Sequence, residues 1–124
     1  MAGGHYATVA TLCEQYNDAI MRRLEVETYP GEWIKPSAAK YRRMYLDAPA
    51  LLVLDEIGAR EKVSDSHYEI VKHALDARID QGKPMVIISN NTPEELAKLY
   101  DGRIYSRIAS GTVLNVTGED RRLA

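Results

Sequence analysis

Two short runs of uninterrupted apolar residues punctuate the chain: Leu-Leu-Val-Leu at 51–54 and Met-Val-Ile-Ile at 85–88. Runs of this length without polar alternation suit strands buried on both faces, as in a parallel sheet covered by helices. Residues 7–12, with β-branched Thr8, Val9 and Thr11, give a third strand candidate, and residues 112–116 a fourth. Between them the apolar positions switch to a helical period. Leu12, Tyr16, Ala19, Ile20 and Leu24 predict a helix over residues 12–25, with Arg22 and Arg23 near its carboxyl end, where cations suit the helix dipole. Residues 28–33 read as a loop around Pro30-Gly31, with Trp33 as a packing residue.

Ser37 is the expected cap of a second helix carrying Tyr41, Met44 and Tyr45 on one face. A third helix is expected from Ser66, with Glu69 completing a capping box. Ile70, Val71, Ala74, Leu75 and Ile79 form its stripe, and Gly82 its left-handed stop. Thr92-Pro93-Glu94-Glu95 is a strong helix start, and Asp101-Gly102 separates that helix from another over residues 103–109. The alternation of strands and helices predicts an α/β layer protein with a parallel sheet.

Composition narrows this reading only a little. A length of 124 residues implies one domain, and 45% apolar content is enough for a core. A formal charge of −2 gives no bulk electrostatic sign of nucleic-acid binding. The cluster Lys40, Arg42, Arg43 reads either as a phosphate contact or as a solvated helix face, and the latter is preferred. A single cysteine, Cys13, excludes an internal disulfide framework and fits a reducing cytoplasm. His67 and His73, six apart, do not share a helical face and read as surface residues. Neither a secretory signal nor an apolar run of membrane-spanning length is expected.

The candidate chemistry gathers at one edge. Asp55 and Glu56 directly follow the first apolar run, which places them at the carboxyl end of a buried strand, where open α/β sheets bind ligands. Ser89 and Asn90 end the second run. Tips of neighbouring parallel strands lie about 5 Å apart, so a carboxylate would stand beside an amide. Asn90 reads equally well as a turn residue before the Thr92 cap. Arg103 and Arg107 are four apart on one helical face, as a functional pair or as two solvated arginines.

Together these segments resemble the AAA+ ATPases, and within them the DnaC/IstB-like helicase loaders and transposition helpers. The resemblance is carried by Leu-Leu-Val-Leu-Asp-Glu-Ile-Gly at 51–58, Ile-Ile-Ser-Asn at 87–90 with its Thr-Pro-Glu-Glu-Leu helix, Gly-Arg-Ile-Tyr-Ser-Arg-Ile at 102–108 and Gly-Glu-Asp-Arg-Arg at 118–122. It implies a three-layer P-loop-NTPase-like parallel sheet with helices on both faces, residues 1–124 running from the family's second strand to a sensor 2-like tail. It implies ATP and Mg²⁺ as cofactors. Asp55 resembles the Mg²⁺-associated Walker B aspartate, Glu56 the catalytic glutamate and Asn90 the sensor 1 residue. Arg107 is similar to the arginine finger that reaches a nucleotide on a neighbouring subunit, Arg103 to its companion, and Arg122 to a sensor 2-like contact. The implied setting is a bacterial or phage cytoplasmic ATPase of DNA replication. Such a protein assembles head-to-tail with itself or homologous subunits, binds single-stranded DNA and loads the replicative helicase.

One departure matters. No Gly-x-x-x-x-Gly-Lys-Ser/Thr occurs in the sequence, so the family's first strand and phosphate loop are missing from it. The expectation is an amino-terminally truncated domain or a naturally short relative, a poor ATPase alone. Two other functions stay open: a non-catalytic interaction module that donates Arg107 to a complete neighbour, and the ATP-binding half of a transposition helper. In the family the strand order is 5-1-4-3-2. Loss of the first strand would leave residues 85–88 as an exposed apolar edge, to be covered by residues 112–116 or by another chain.

Overall fold

The computed structural model describes residues 3–29, 31–58 and 63–111. β1 (Gly4–Thr8) turns directly into α1 (Val9–Ile20). The β-branched segment 7–12 is therefore not a strand throughout. Thr8 caps the helix, its hydroxyl oxygen accepting from the Thr11 N–H at 3.1 Å. α1 ends at Ile20 rather than near residue 25, and Arg22 just beyond it takes a left-handed φ of 58°. Arg22 and Arg23 thus follow the helix instead of closing its last turn.

The segment read as a loop is an antiparallel hairpin, β2 (Val26–Thr28) with β3 (Glu32–Ile34), whose return requires Gly31 at φ 112°. Trp33 stands on it largely exposed rather than in the core. α2 (Ala38–Arg42) is capped by Ser37 as predicted and runs into one π-helical turn over Arg43–Asp47, closed from Ala48 N to Arg43 O at 2.8 Å. Arg42 lays its guanidinium over the Tyr16 ring, so the basic cluster is not a uniform phosphate-facing patch.

β4 (Leu51–Asp55) leads to α3 (Asp65–Asp80). The cap of α3 is Ser64, not Ser66. Ser64 Oγ accepts from the His67 N–H at 3.2 Å, while the Ser66 hydroxyl donates to Asn17 on α1 at 2.8 Å. Gly82, at φ 65°, follows the helix as predicted. β5 (Met85–Ile87) precedes α4 (Pro93–Leu99), which carries the predicted capping box between Thr92 and Glu95, and α5 (Gly102–Ala109), capped by Asp101.

The three long-range strands form a parallel sheet in the order β1-β4-β5. Both crossovers step the same way across the sheet, so right-handed connections bring α1, α2 and α3 to one face. On that face Ala7, Leu52 and Leu54 are buried with Leu12, Ile70, Val71 and Leu75. Register sets the other face: Tyr6 lies opposite Val53, which lies opposite Val86. Tyr6, Leu51, Val86 and Ile88 are exposed there. Among the described residues β4 is therefore covered on one side, not two. β5 is the last strand of the described sheet, with Val86 46% and Ile88 45% exposed on that open face. The expected strand at 112–116 and Arg122 lie outside the described residues.

The amino end of β4 is tied down by Arg78 of α3, which is fully buried. Its guanidinium donates to the carbonyl oxygens of Leu46, Asp47, Pro49, Ala50 and Pro84, at distances from 2.5 to 3.3 Å. One side chain thereby satisfies the turns that enter β4 and β5.

Candidate functional site

The carboxyl end of the sheet is built differently. β4 ends on Asp55, whose Oδ1 accepts from the Glu56 N–H at 2.8 Å. Its Oδ2 accepts from the Tyr6 hydroxyl on β1, and that bond to a carboxylate raises the Tyr6 pKa. Glu56 follows at φ 58°, left-handed backbone that side chains with a Cβ rarely adopt, at a cost of about 1 kcal/mol or more. That conformation leaves Glu56 exposed while Ile57, next in sequence, is 1% exposed in the core. A charged residue held in a strained conformation at a strand's carboxyl end is a feature found at functional sites.

The loop after β4 is stitched to the loop after β5. The Ile57 N–H donates to the Ile88 carbonyl at 3.2 Å, the Ser89 hydroxyl to the Ile57 carbonyl at 2.6 Å, and the Asn91 amide to the Gly58 carbonyl at 2.9 Å. Gly58, at φ 74°, is required: an added Cβ would come within 2.6 Å of Asn91 Nδ2 and 2.7 Å of Leu96 Cδ2. Asn90 stands exposed between Ser89 and Asn91. The structure thus brings Asp55, Glu56 and Asn90 to the same edge, on adjacent strands.

Arg103 and Arg107 are on α5, which packs on α4 and α3. Arg103 is exposed beside Asp101. The Asp101 carboxylate accepts from the Tyr68 hydroxyl at 2.5 Å and from the Ile104 N–H at 2.9 Å, which hold it below the ordinary carboxylate range. Arg107 is not directed at Asp55. Its Nε pairs with Asp76 Oδ1 of α3 at 3.0 Å, with the two side chains 29% and 30% exposed. It is half-buried rather than freely exposed.

Three residues with a part in this geometry carry no local signal in the sequence: Tyr6 and Asn91 as bonding residues and Asp76 as the partner of Arg107. Strand alternation places Tyr6 on the Asp55 face, but only once β1 is known to pair with β4.

Asp55 offers one carboxylate, and among the described residues no group of three or more acidic, histidine or cysteine side chains is placed to hold a metal. Mg²⁺ at nucleotide sites takes one or two carboxylates and completes its shell with water and phosphates, so Asp55 fits as one ligand and does not make a site alone. Two cavities, of about 320 Å³ against His5, Glu27 and Tyr45 and about 370 Å³ against Arg42, Lys72 and Asp76, include neither Asp55 nor Glu56. No phosphate-loop motif occurs in the sequence.

No protein-family model matches the chain. Solved structures do. AMPPCP-bound DnaA from Aquifex aeolicus superposes with a TM-score of 0.71 at 15% identity, covering 90% of this chain and 30% of that one. A DNA replication initiation factor gives 0.68 at 16% identity, over 90% of this chain and 30% of its own. The replication initiator DnaA bound to AMPPCP and single-stranded DNA gives 0.67 at 16% identity, over 88% and 29%. The chain spans less than a third of the length of these structures. At such identities the likeness is one of fold: an α/β parallel sheet with helices that matches a portion of the AAA+ P-loop fold of DnaA.

Proposed function

We propose that these residues form the Walker B to arginine-finger portion of an AAA+ ATPase of DNA replication. They would work in a nucleotide site completed by a phosphate loop that the 124 residues do not contain. The observation that carries this is the carboxyl end of β4. Asp55 is fixed by two hydrogen bonds, Glu56 is turned outward by its left-handed backbone, and the loop bearing Asn90 is bonded alongside. In that reading Asp55 takes the Mg²⁺ of a bound ATP and Glu56 orients the attacking water. Asn90 senses the terminal phosphate, Arg107 with its companion Arg103 contacts nucleotide across a subunit boundary, and Arg122 makes a sensor 2-like contact. The fold likeness to DnaA supports a replication setting. The motif resemblance favours a loader of the replicative helicase, which assembles head-to-tail with itself or homologous subunits and touches single-stranded DNA.

The test is nucleotide binding and turnover. Calorimetry with Mg-ATP should show weak binding and negligible hydrolysis by this chain alone. Mixed with a complete homologue, it should change that homologue's turnover, and Arg107→Ala should remove the change. Tight binding by the chain alone, with hydrolysis abolished by Glu56→Gln, would overturn the assignment of an incomplete site.

A second reading, a non-catalytic module that caps an assembly by donating Arg107, is supported by the placement of that arginine on α5, away from Asp55. It predicts that joining a phosphate-loop segment to the chain restores no hydrolysis, whereas the catalytic reading predicts hydrolysis that Glu56→Gln abolishes.

A further inference from the structure

Arg107 lies on the flank of α5 that faces α3, beside the seated side of the helix. Ile104 is buried and Ile108 packs against the core, so α5 itself is fixed. The guanidinium, by contrast, is held by a side-chain contact to the neighbouring helix, Nε to Asp76 Oδ1 at 3.0 Å, partly shielded from water. An ion pair of this exposure is a weak one, enough to set the rotamer and weak enough to be broken by a stronger anion.

We propose that Asp76 is an intramolecular latch on Arg107. The inference rests on the reading of Arg107 as a residue that serves another subunit. One guanidinium cannot sit against α3 and also reach a phosphoryl group across an interface, so the two engagements exclude one another. The latch holds Arg107 against its own subunit until a polyphosphate, more highly charged than one carboxylate, draws it away. Release needs only rotation of the Arg107 side chain; α5 stays where Ile104 and Ile108 hold it. The device would keep the arginine from pairing with unrelated anions before assembly and make its delivery depend on nucleotide in the partner.

The experiment uses the full chain and inorganic tripolyphosphate as the probe, read through the Nε–H resonances of ¹⁵N-labelled arginines. Arg107 is assigned by its loss in Arg107→Ala. In the unaltered chain the Arg107 Nε–H should exchange with water more slowly than that of exposed Arg103. Asp76→Asn should bring the two to the same rate, and Asp76→Glu, which keeps the charge, should retain slow exchange. Amide spectra confirm that each variant is folded. Asp76→Asn should lower the tripolyphosphate midpoint by about threefold, the size expected for losing one half-exposed competitor, and the gain should vanish in the double variant with Arg107→Ala. Equal exchange of Arg103 and Arg107 in the unaltered chain, or an unchanged midpoint in Asp76→Asn, overturns the latch. Failure of the finger reading shows elsewhere: Arg107→Ala would leave a complete homologue's turnover unaffected, while the tripolyphosphate series still decides the latch.

Discussion

The two ends of β4 solve opposite problems. At the amino end, Arg78 is withdrawn from water and its two terminal NH groups donate to five backbone carbonyls, so the turns entering β4 and β5 are tied to α3. At the carboxyl end, carboxylates stand at the surface, Glu56 is held in a costly backbone conformation, and the loops are bonded to one another rather than buried. One charged residue is enclosed to complete hydrogen bonding; the others are left accessible. A buried charge here reads as architecture and a strained, exposed one as a candidate for chemistry.

That contrast can be broken by substitution. Arg78→Met should have the largest effect, because five carbonyls lose their donor together. Urea unfolding should show a loss of about 3–5 kcal/mol, the scale for removing one partner of a buried charged network. A loss under about 1 kcal/mol would mean water replaces the guanidinium and the amino end is not closed. Gly58→Ala should cost about 2 kcal/mol, since it adds a methyl group against Asn91 and Leu96 at positive φ. Its loop bonds should weaken while the sheet persists, visible as faster amide exchange at Ile57 and Asn91.

Glu56→Gly should move stability the other way, raising it by about 0.5–1 kcal/mol by removing the strained side chain. Stabilisation there, set against destabilisation at Arg78, would be the sharpest form of the comparison. A loss of stability would show that the Glu56 carboxylate supports the fold.

The smallest effect is alkaline and leaves stability at neutral pH unchanged. Burial pushes the Tyr100 phenol from 10.0 up to about 12, and burial raises Tyr41 and Tyr45 as well. A raised phenol pKa means the folded state favours the neutral form. Its contribution is complete below the unfolded value near 10 and is lost as pH rises towards 12. Thermal melts should fall from pH 10 upward, and Tyr100→Phe should flatten part of that slope. An unchanged slope in the variant would remove Tyr100 from the account.

Much of the architecture could be read from local pattern. Ser37, the Thr92–Glu95 box and Gly82 mark helix ends by chemistry confined to a few neighbouring residues, and the two apolar runs at 51–54 and 85–88 are strands. What failed was local competition. Thr8 and Ser64 won the capping roles that strand propensity and Ser66 had claimed, and the hairpin carrying Trp33 has no alternation to announce it. Asp55, Glu56 and Asn90 could be placed at one edge of the sheet because strand ends are visible in sequence. Tyr6 and Asp76 could not be placed, because each meets its partner only through the tertiary arrangement of separate elements.

The parallel register has a consequence for how the chain acquires its shape. Tyr6 and its bonding partner Asp55 are 49 residues apart, so β1 is made long before the strand it needs exists. α1 and the β2–β3 hairpin can form while β1 waits, but neither offers it hydrogen bonds along its length. The sheet can begin only when β4 arrives, and β4 must then accept β1 on one side and β5 on the other. Closing such long loops costs entropy before any contact rewards it, which places folding among the slower, millisecond-to-second topologies rather than the microsecond ones. During that interval the apolar run of β4 is the segment most in need of protection from other chains.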